Sequence, residues 1–356
     1  MLEIDCSKIN EAGGQILRTS LGLSALLRKE VKITHIRSGR PNPGLQPQHL
    51  ASVNTIASMC SAELEQANPN SSSLVFKPGK IIPSQLSVNI GTAGSLSLML
   101  QQLLPVSLVE KIELRAQGGT HVSFSPSMHF MQEVLFPQLK RMGLHLDLDL
   151  LQFGFFPKGN GRIFFTSEKP KLPLKALKLS SLGKLSYIKC YSICSGLPRE
   201  IAFVQANSAL KSLQKKIPDN DFEFVEQVNA TPTRKDTIGT ALDLFAYFDS
   251  GLVLAGNALG EKGKPAEQVG QEAADNLLTQ LEAQKSCDLH LADQIIPFCA
   301  LAKGESELRV SKITQHCLTN IEIVKLFLPE AEMSVHGNLN EPGIIKIKGI
   351  AFTGLP

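Results

Sequence analysis

The sequence predicts an α/β fold in which one helix-and-strand unit is used three times, with a small α/β domain inserted before the third use. Three observations predict it. A turn marked by Gly or Asp, an apolar helix, a strand, a second polar turn and a second helix recur in that order three times. Helical and extended periodicities alternate inside each copy. The copies are also unequally spaced, and the surplus is long enough for a domain of its own.

The first copy reads EAGGQILRTSLGLSALLRK, then VKITHIRSGR, then PQHLASVNTIASM. Ile16, Leu17, Ser20, Leu21 and the run from Leu23 to Leu27 repeat at helical spacing, and Val31, Ile33 and His35 alternate as a strand does. The second copy reads GTAGSLSLMLQQLLPVSL, KIELRAQGG and PSMHFMQEVLFPQLKRMG, with Ile112 and Leu114 alternating in its strand. The third reads LADQIIPFCALAKG, ELRVSKITQH and LTNIEIVKLFL. Repetition on this scale implies one supersecondary unit stacked around a shared core. From Gly14 to Ala93 is 79 residues and from Ala93 to Ala292 is 199, a surplus of 120. The segment from about Leu182 to Gln284 takes up that surplus. It holds strand patterns at Phe222 to Val228, Ala241 to Phe248 and Leu252 to Ala255, and a helix over Ala266 to Leu281 opened by the turn GEKGKP. The expected division is a large domain of residues 1–181 plus 285–356, with 182–284 inserted.

Composition narrows the function classes. With 36 basic and 33 acidic residues the net charge is only +3, which does not suit coating long stretches of nucleic-acid phosphate but suits gripping one short end. There is no Trp and there are three Tyr, so a broad base-stacking platform is not expected. The seven cysteines lack metal-ligand spacing, and Cys190 and Cys194 form a lone CxxxC. They read as reduced thiols of a cytoplasmic protein. No signal peptide is visible, and no stretch approaches the ~20 apolar residues of a membrane helix.

Some residues have the right type and position for chemistry. Gly13 and Gly14 precede the first helix, where backbone N–H groups can approach an anion. Arg18 lies on the first turns of that helix. Arg37 and Arg40 flank a Gly in the proline-rich loop IRSGRPNPGLQPQHL, an arrangement that suits bidentate phosphate recognition and equally suits plain surface arginines. His316 stands between the strand and helix of the third copy, as a nucleotidyl acceptor or as a capping histidine. The other seven histidines read as capping or core residues. Asp293 and Gln294 open the third copy. These residues alone do not decide a reaction.

EAGGQILRTSLGLS, IRSGRPNPGLQPQHL, GTAGSLSLMLQQLLP, GGTHVSFSP, GFFPKGNG, HLADQIIPFCALA and HCLTNIEIVKLFLP occur in this order. Together they resemble the RNA 3′-terminal phosphate cyclase family, in its catalytic branch, over nearly the whole chain. The resemblance implies three βαβαββ-type repeats carrying an inserted small α/β domain. It implies an ATP-dependent enzyme that converts an RNA 3′-phosphate end to a 2′,3′-cyclic phosphate through a histidinyl-AMP and an RNA-pp-A intermediate. The nucleophile would be His316. Phosphates of ATP or of the RNA end would fall to Arg18, Arg37 and Arg40. Gln48, Gln101, Asp293 and Gln294 match residues near the nucleotide, Pro126 matches a proline beside the adenine, and Glu11 would hold Mg2+ or Mn2+. A homodimer is one arrangement open to such a protein.

This chain departs from the family's pattern at several places, among them the run from Cys6 to Asn10, which replaces a more glycine-rich approach to the first turn. Ala12 stands in the glycine run, His290 where the family often has a tyrosine stacked on adenine, and Asn160 where it has a glycine. Two other readings stay open. A non-catalytic, cyclase-like protein of ribosome assembly would lack the histidine that His316 supplies. An enolpyruvyl-type transferase would need basic blocks that this sequence does not show.

Overall fold

The computed structural model describes residues 1–9, 13–217, 223–231 and 233–355; Glu11 and Ala12 of the first turn lie outside them. The first repeat runs β1 (Leu2–Asp5), α1 (Gln15–Leu27), β2 (Val31–Thr34), α2 (Pro47–Met59), β3 (Glu63–Glu65) and β4 (Leu74–Lys77). Its sheet has the order β1-β2-β4-β3, with β1 parallel to β2 and the other pairs antiparallel. The second runs β5 (Ser84–Asn89), α3 (Leu96–Leu103), β6 (Ile112–Gly118), α4 (Met128–Phe130), a π-helical turn over Met131–Leu135, α5 (Phe136–Met142), β7 (Leu146–Gln152) and β8 (Gly161–Ser167). Its order, β5-β6-β8-β7, and its strand directions repeat those of the first.

The third repeat begins with the two-residue strand β9 (Lys178–Leu179). The chain then leaves for a fourth sheet: β10 (Leu185–Ser195), α5's successor α6 (Glu200–Gln214), β11 (Glu223–Thr231), β12 (Gly239–Phe248), β13 (Val253–Leu259) and α7 (Ala266–Ala283), ordered β11-β10-β12-β13. It returns as α8 (Leu291–Leu301), β14 (Lys303–Val310), α9 (Gln315–Phe327), β15 (Glu332–His336) and β16 (Gly343–Ile350). β9 pairs parallel with β14, which completes the same βαβαββ order a third time. The fourth sheet therefore enters after the first strand of the third unit. A strand of two residues has no periodicity to read, so only its pairing reveals it.

One buried apolar cluster draws on all three repeats, through residues such as Leu21 and Leu26 of α1, Leu100 of α3, Ile295 of α8 and Val324 of α9. The fourth sheet buries a cluster of its own, including Ile188, Leu244, Ala273 and Leu277. Strand β10 and helix α6 were not foreseen. β10 is central in its sheet and largely buried, so it lacks a clean polar alternation. The CxxxC lies on it, four residues apart on one strand face, with both thiols buried and unbridged.

Where the chain crosses out and back, Ser286 Oγ donates to the Leu179 carbonyl. The Asp288 carboxylate accepts from Ala255 N at 2.9 Å, Gln280 Nε2 at 2.9 Å and His290 N at 2.7 Å, so it ties β13 and α7 to the start of α8. Against the second repeat, Glu133 accepts from the Tyr191 and Tyr247 hydroxyls and from Lys189 Nζ at 2.9 Å. Burial favours the neutral Glu133 carboxyl, but these three donors outweigh it and hold its pKa below the ordinary range.

Candidate active site

The N-terminal ends of α1, α8 and α9 meet, and each has a local reason to begin where it does. Thr314 Oγ1 accepts from Cys317 N at 3.1 Å, so α9 starts at Gln315 and His316 lies in its first turn rather than ahead of the helix. Asp288 caps the approach to α8, accepting from Leu291 N at 3.2 Å, and Asp293 follows in the first turn. Gly14 is the N-cap of α1 and offers no side chain to cap it. Among the described residues no side chain caps this helix start, and a helix N-terminus of that kind suits an anion.

Asn320 links the three helices. Its Oδ1 accepts from Gln15 Nε2 at 2.9 Å and from Thr19 Oγ1 at 2.6 Å, both on α1. Its Nδ2 donates to the Asp293 carbonyl of α8 at 2.6 Å. That carbonyl needs the donor, because the residue four positions on is Pro297, which has no N–H to give. Arg18, Gln101, Asp293 and Gln294 line one small cavity together with Gln15, Thr19 and Asn320. Burial pushes the Asp293 carboxyl above its ordinary pKa, while His316, His290 and Arg18, all within electrostatic reach, pull it back. Gln294 Nε2 donates to the His290 carbonyl at 2.6 Å, and its buried Oε1 has no partner among the described residues.

A second group adjoins the first through Arg18. Arg18 Nη2 donates to Gln15 Oε1. A Cβ on Gly14 would lie 3.0 Å from Arg18 Nη1 and 3.1 Å from His49 Nε2, so glycine there lets the two side chains close over the helix start. His49 caps α2 by accepting from Gln46 N at 3.1 Å. Burial, Arg37 and Arg18 depress its pKa to about 3, which keeps the ring neutral. Arg37 stands in the left-handed region at φ 54° and donates from Nη1 to the carbonyls of Asn42 at 2.6 Å and Gly44 at 3.1 Å. It braces its own loop, whereas Arg40 beside it is exposed.

The remaining sequence-predicted residues sit on the second repeat or near it. Gln48 packs against Gly94 of the second glycine turn. The Pro126 carbonyl accepts from Ser97 Oγ at 2.6 Å. His290 meets Phe130 edge-on at 6.3 Å between ring centroids. Asn160 adopts φ 58°, the left-handed conformation expected where it replaces a glycine. Glu11 lies outside the described residues. Sequence reasoning did not single out Gln15, Thr19, His49 or Asn320. A signal for Asn320 existed, because it stands four residues after His316 and so shares its helix face.

Residues 9–333 match the family model described as RNA 3′-terminal phosphate cyclase. The chain belongs to the RNA 3′-terminal phosphate cyclase family. Among its curated relatives, a protein of that name from Desulfurococcus amylolyticus is 39% identical over 99% of both chains. One from Hyperthermus butylicus is 41% identical over 99% of both, and one from Methanopyrus kandleri is 37% identical over 98% of this chain and 99% of its own. Solved structures of the enolpyruvyl transferase NikO from Streptomyces tendae and of an EPSP synthase from Acinetobacter baumannii align at TM-scores of 0.24 and 0.29, too low to argue from. Their identities are 11% over 92% of this chain and 44% of NikO, and 12% over 98% and 65% of the synthase. Among the described residues, no helix of this RNA 3′-terminal phosphate cyclase family member is long and apolar enough to cross a membrane.

Proposed function

We propose that the chain is an ATP-dependent RNA 3′-terminal phosphate cyclase that works through a covalent His316–AMP. A ring nitrogen of His316 attacks the α-phosphorus of ATP, the bond to the bridging oxygen breaks, and pyrophosphate leaves. An oxygen of the RNA 3′-phosphate then attacks the same phosphorus, the N–P bond breaks, and the RNA end becomes RNA-pp-A. The neighbouring 2′-hydroxyl loses its proton and attacks the RNA phosphorus, AMP leaves, and a 2′,3′-cyclic phosphate remains. Adenylylation is needed because a phosphate monoester dianion repels a nucleophile and has no good leaving group.

The observation that carries this reading is His316 on the first turn of α9, in electrostatic reach of half-buried Asp293, which is in turn in reach of Arg18. The start of α1, which no side chain among the described residues caps, suits the polyphosphate together with Arg18, and Gln294 Oε1, without a partner among the described residues, suits a hydroxyl or amino donor of the nucleoside. Arg40 is exposed and would meet the RNA end; Arg37 acts by holding the loop that presents it. A Mg2+ or Mn2+ ion on Glu11 would neutralise phosphate charge when bound. The domain division proposed is 1–181 with 285–356 for this chemistry and 182–284 as the insertion.

The test is incubation with α-labelled ATP and a divalent metal. The expected result is an acid-labile AMP adduct in the wild type and none in His316→Ala. Wild-type protein that takes no label, or that consumes 3′-hydroxyl and 3′-phosphate RNA equally, sinks the assignment.

A further inference from the structure

Three ligand-type atoms converge at the seam between the second repeat and the fourth sheet, and the proposed reaction uses none of them. His121 lies in the loop after β6, His129 on α4 and Asp243 in the middle of β12. His121 Nε2 and His129 Nδ1 are 3.4 Å apart, and they lie 3.2 and 3.1 Å from the same oxygen, Asp243 Oδ2. The three side chains are 0%, 7% and 2% exposed.

The triangle is a poor pair of hydrogen bonds. From those distances the angle N···Oδ2···N is about 65°, whereas donors that follow the two lone pairs of a carboxylate oxygen stand roughly 120° apart. It is a good face of a coordination tetrahedron. An ion about 2.05 Å from each atom, the usual distance for zinc on imidazole and carboxylate, would see angles of about 98° to 112° between them. The outer contacts also suit a metal. Thr120 Oγ1 lies 2.9 Å from His121 Nδ1 and itself accepts from Gly154 N at 2.9 Å, which fixes the ring that presents Nε2. Phe153 and Phe155 flank His121, and Tyr191 stacks on His129 at 4.0 Å.

We propose that His121, His129 and Asp243 form a structural zinc site that pins the fourth sheet to the second repeat. Two imidazoles and one carboxylate favour zinc over the oxygen-seeking magnesium, and a water or the second Asp243 oxygen completes the shell. The site is distinct from the metal proposed for catalysis, which would sit on a carboxylate with ATP.

The experiment uses the full chain, purified without an affinity tag that binds metal. Its zinc is counted by elemental analysis, removed with a strong chelator, and titrated back without ATP while thermal unfolding is followed. The expectation is one zinc per chain, a lower Tm after chelation, and recovery on adding one equivalent. Asp243→Asn and His129→Gln should each weaken zinc uptake by more than about 100-fold, beyond the loss typical of disturbing only an outer contact. Wild-type protein that takes up no zinc overturns the proposal, as does stoichiometric zinc in both variants. Should both variants fail to fold, X-ray absorption on the zinc-loaded wild type decides: nitrogen and oxygen ligands support the site, and a sulfur ligand overturns it.

Discussion

Asn320→Ala tests how the site is held together. The substitution removes the acceptor for Gln15 Nε2 and Thr19 Oγ1 and the side-chain donor to the Asp293 carbonyl. Gln15 and Thr19 keep each other at 3.2 Å, so their loss is partial. The carbonyl has no helical replacement, because Pro297 lacks an N–H. One stranded acceptor in this half-buried contact costs about 1–3 kcal/mol and the weakened pair about 1 kcal/mol more, for a total of about 2–4 kcal/mol. The diagnostic variant is the double mutant with Pro297→Ala, which returns an N–H to the turn. The native helix bond should then recover about 1 kcal/mol or more in the Asn320→Ala background beyond anything Pro297→Ala does alone. Urea unfolding followed by far-ultraviolet circular dichroism measures both differences. If the two substitutions are simply additive, the account of Asn320 as the substitute donor is wrong.

Arg40→Ala should slow RNA turnover with stability within about 0.5 kcal/mol of wild type, since the side chain is exposed. Arg37→Ala should in addition destabilise by about 1–3 kcal/mol, because the Asn42 and Gly44 carbonyls lose their donor; equal stabilities in the two variants would contradict this division. Gly14→Ala is compatible with its φ of −88° but crowds Arg18 and His49, so the KM for ATP should rise while the melting temperature stays close to wild type; an unchanged KM removes Gly14 from the phosphate end. His49 should make stability depend on pH. Its folded pKa is depressed to about 3 against about 6.5 unfolded, so the unfolded chain binds the extra proton between those values and stability falls as pH drops through that window. At pH 5 the loss is about 2 kcal/mol, and His49→Gln should flatten the curve between pH 7 and 5.

Much of this protein is legible in one dimension because it is repetitive. A helix stripe such as Ile16, Leu17 and Leu21 and a strand such as Ile112 and Leu114 each bury one face, so spacing alone reveals the element and its recurrence reveals the unit. Residues that share an element with a readable motif, such as Arg18 after the glycine turn, could be named for the same reason. Tertiary structure alone decided what depends on pairing across large separations. β9 is a strand only because β14 lies beside it, and β10 is recognisable only as the covered centre of a sheet. Asn320 matters because a proline on another helix leaves a carbonyl without a donor. His121, His129 and Asp243, ordinary one by one along the chain, become a candidate ligand set because the fold closes 122 residues of chain to 3.2 Å. Local periodicity reports the face an element buries; it carries no information about which distant side chain that face will meet.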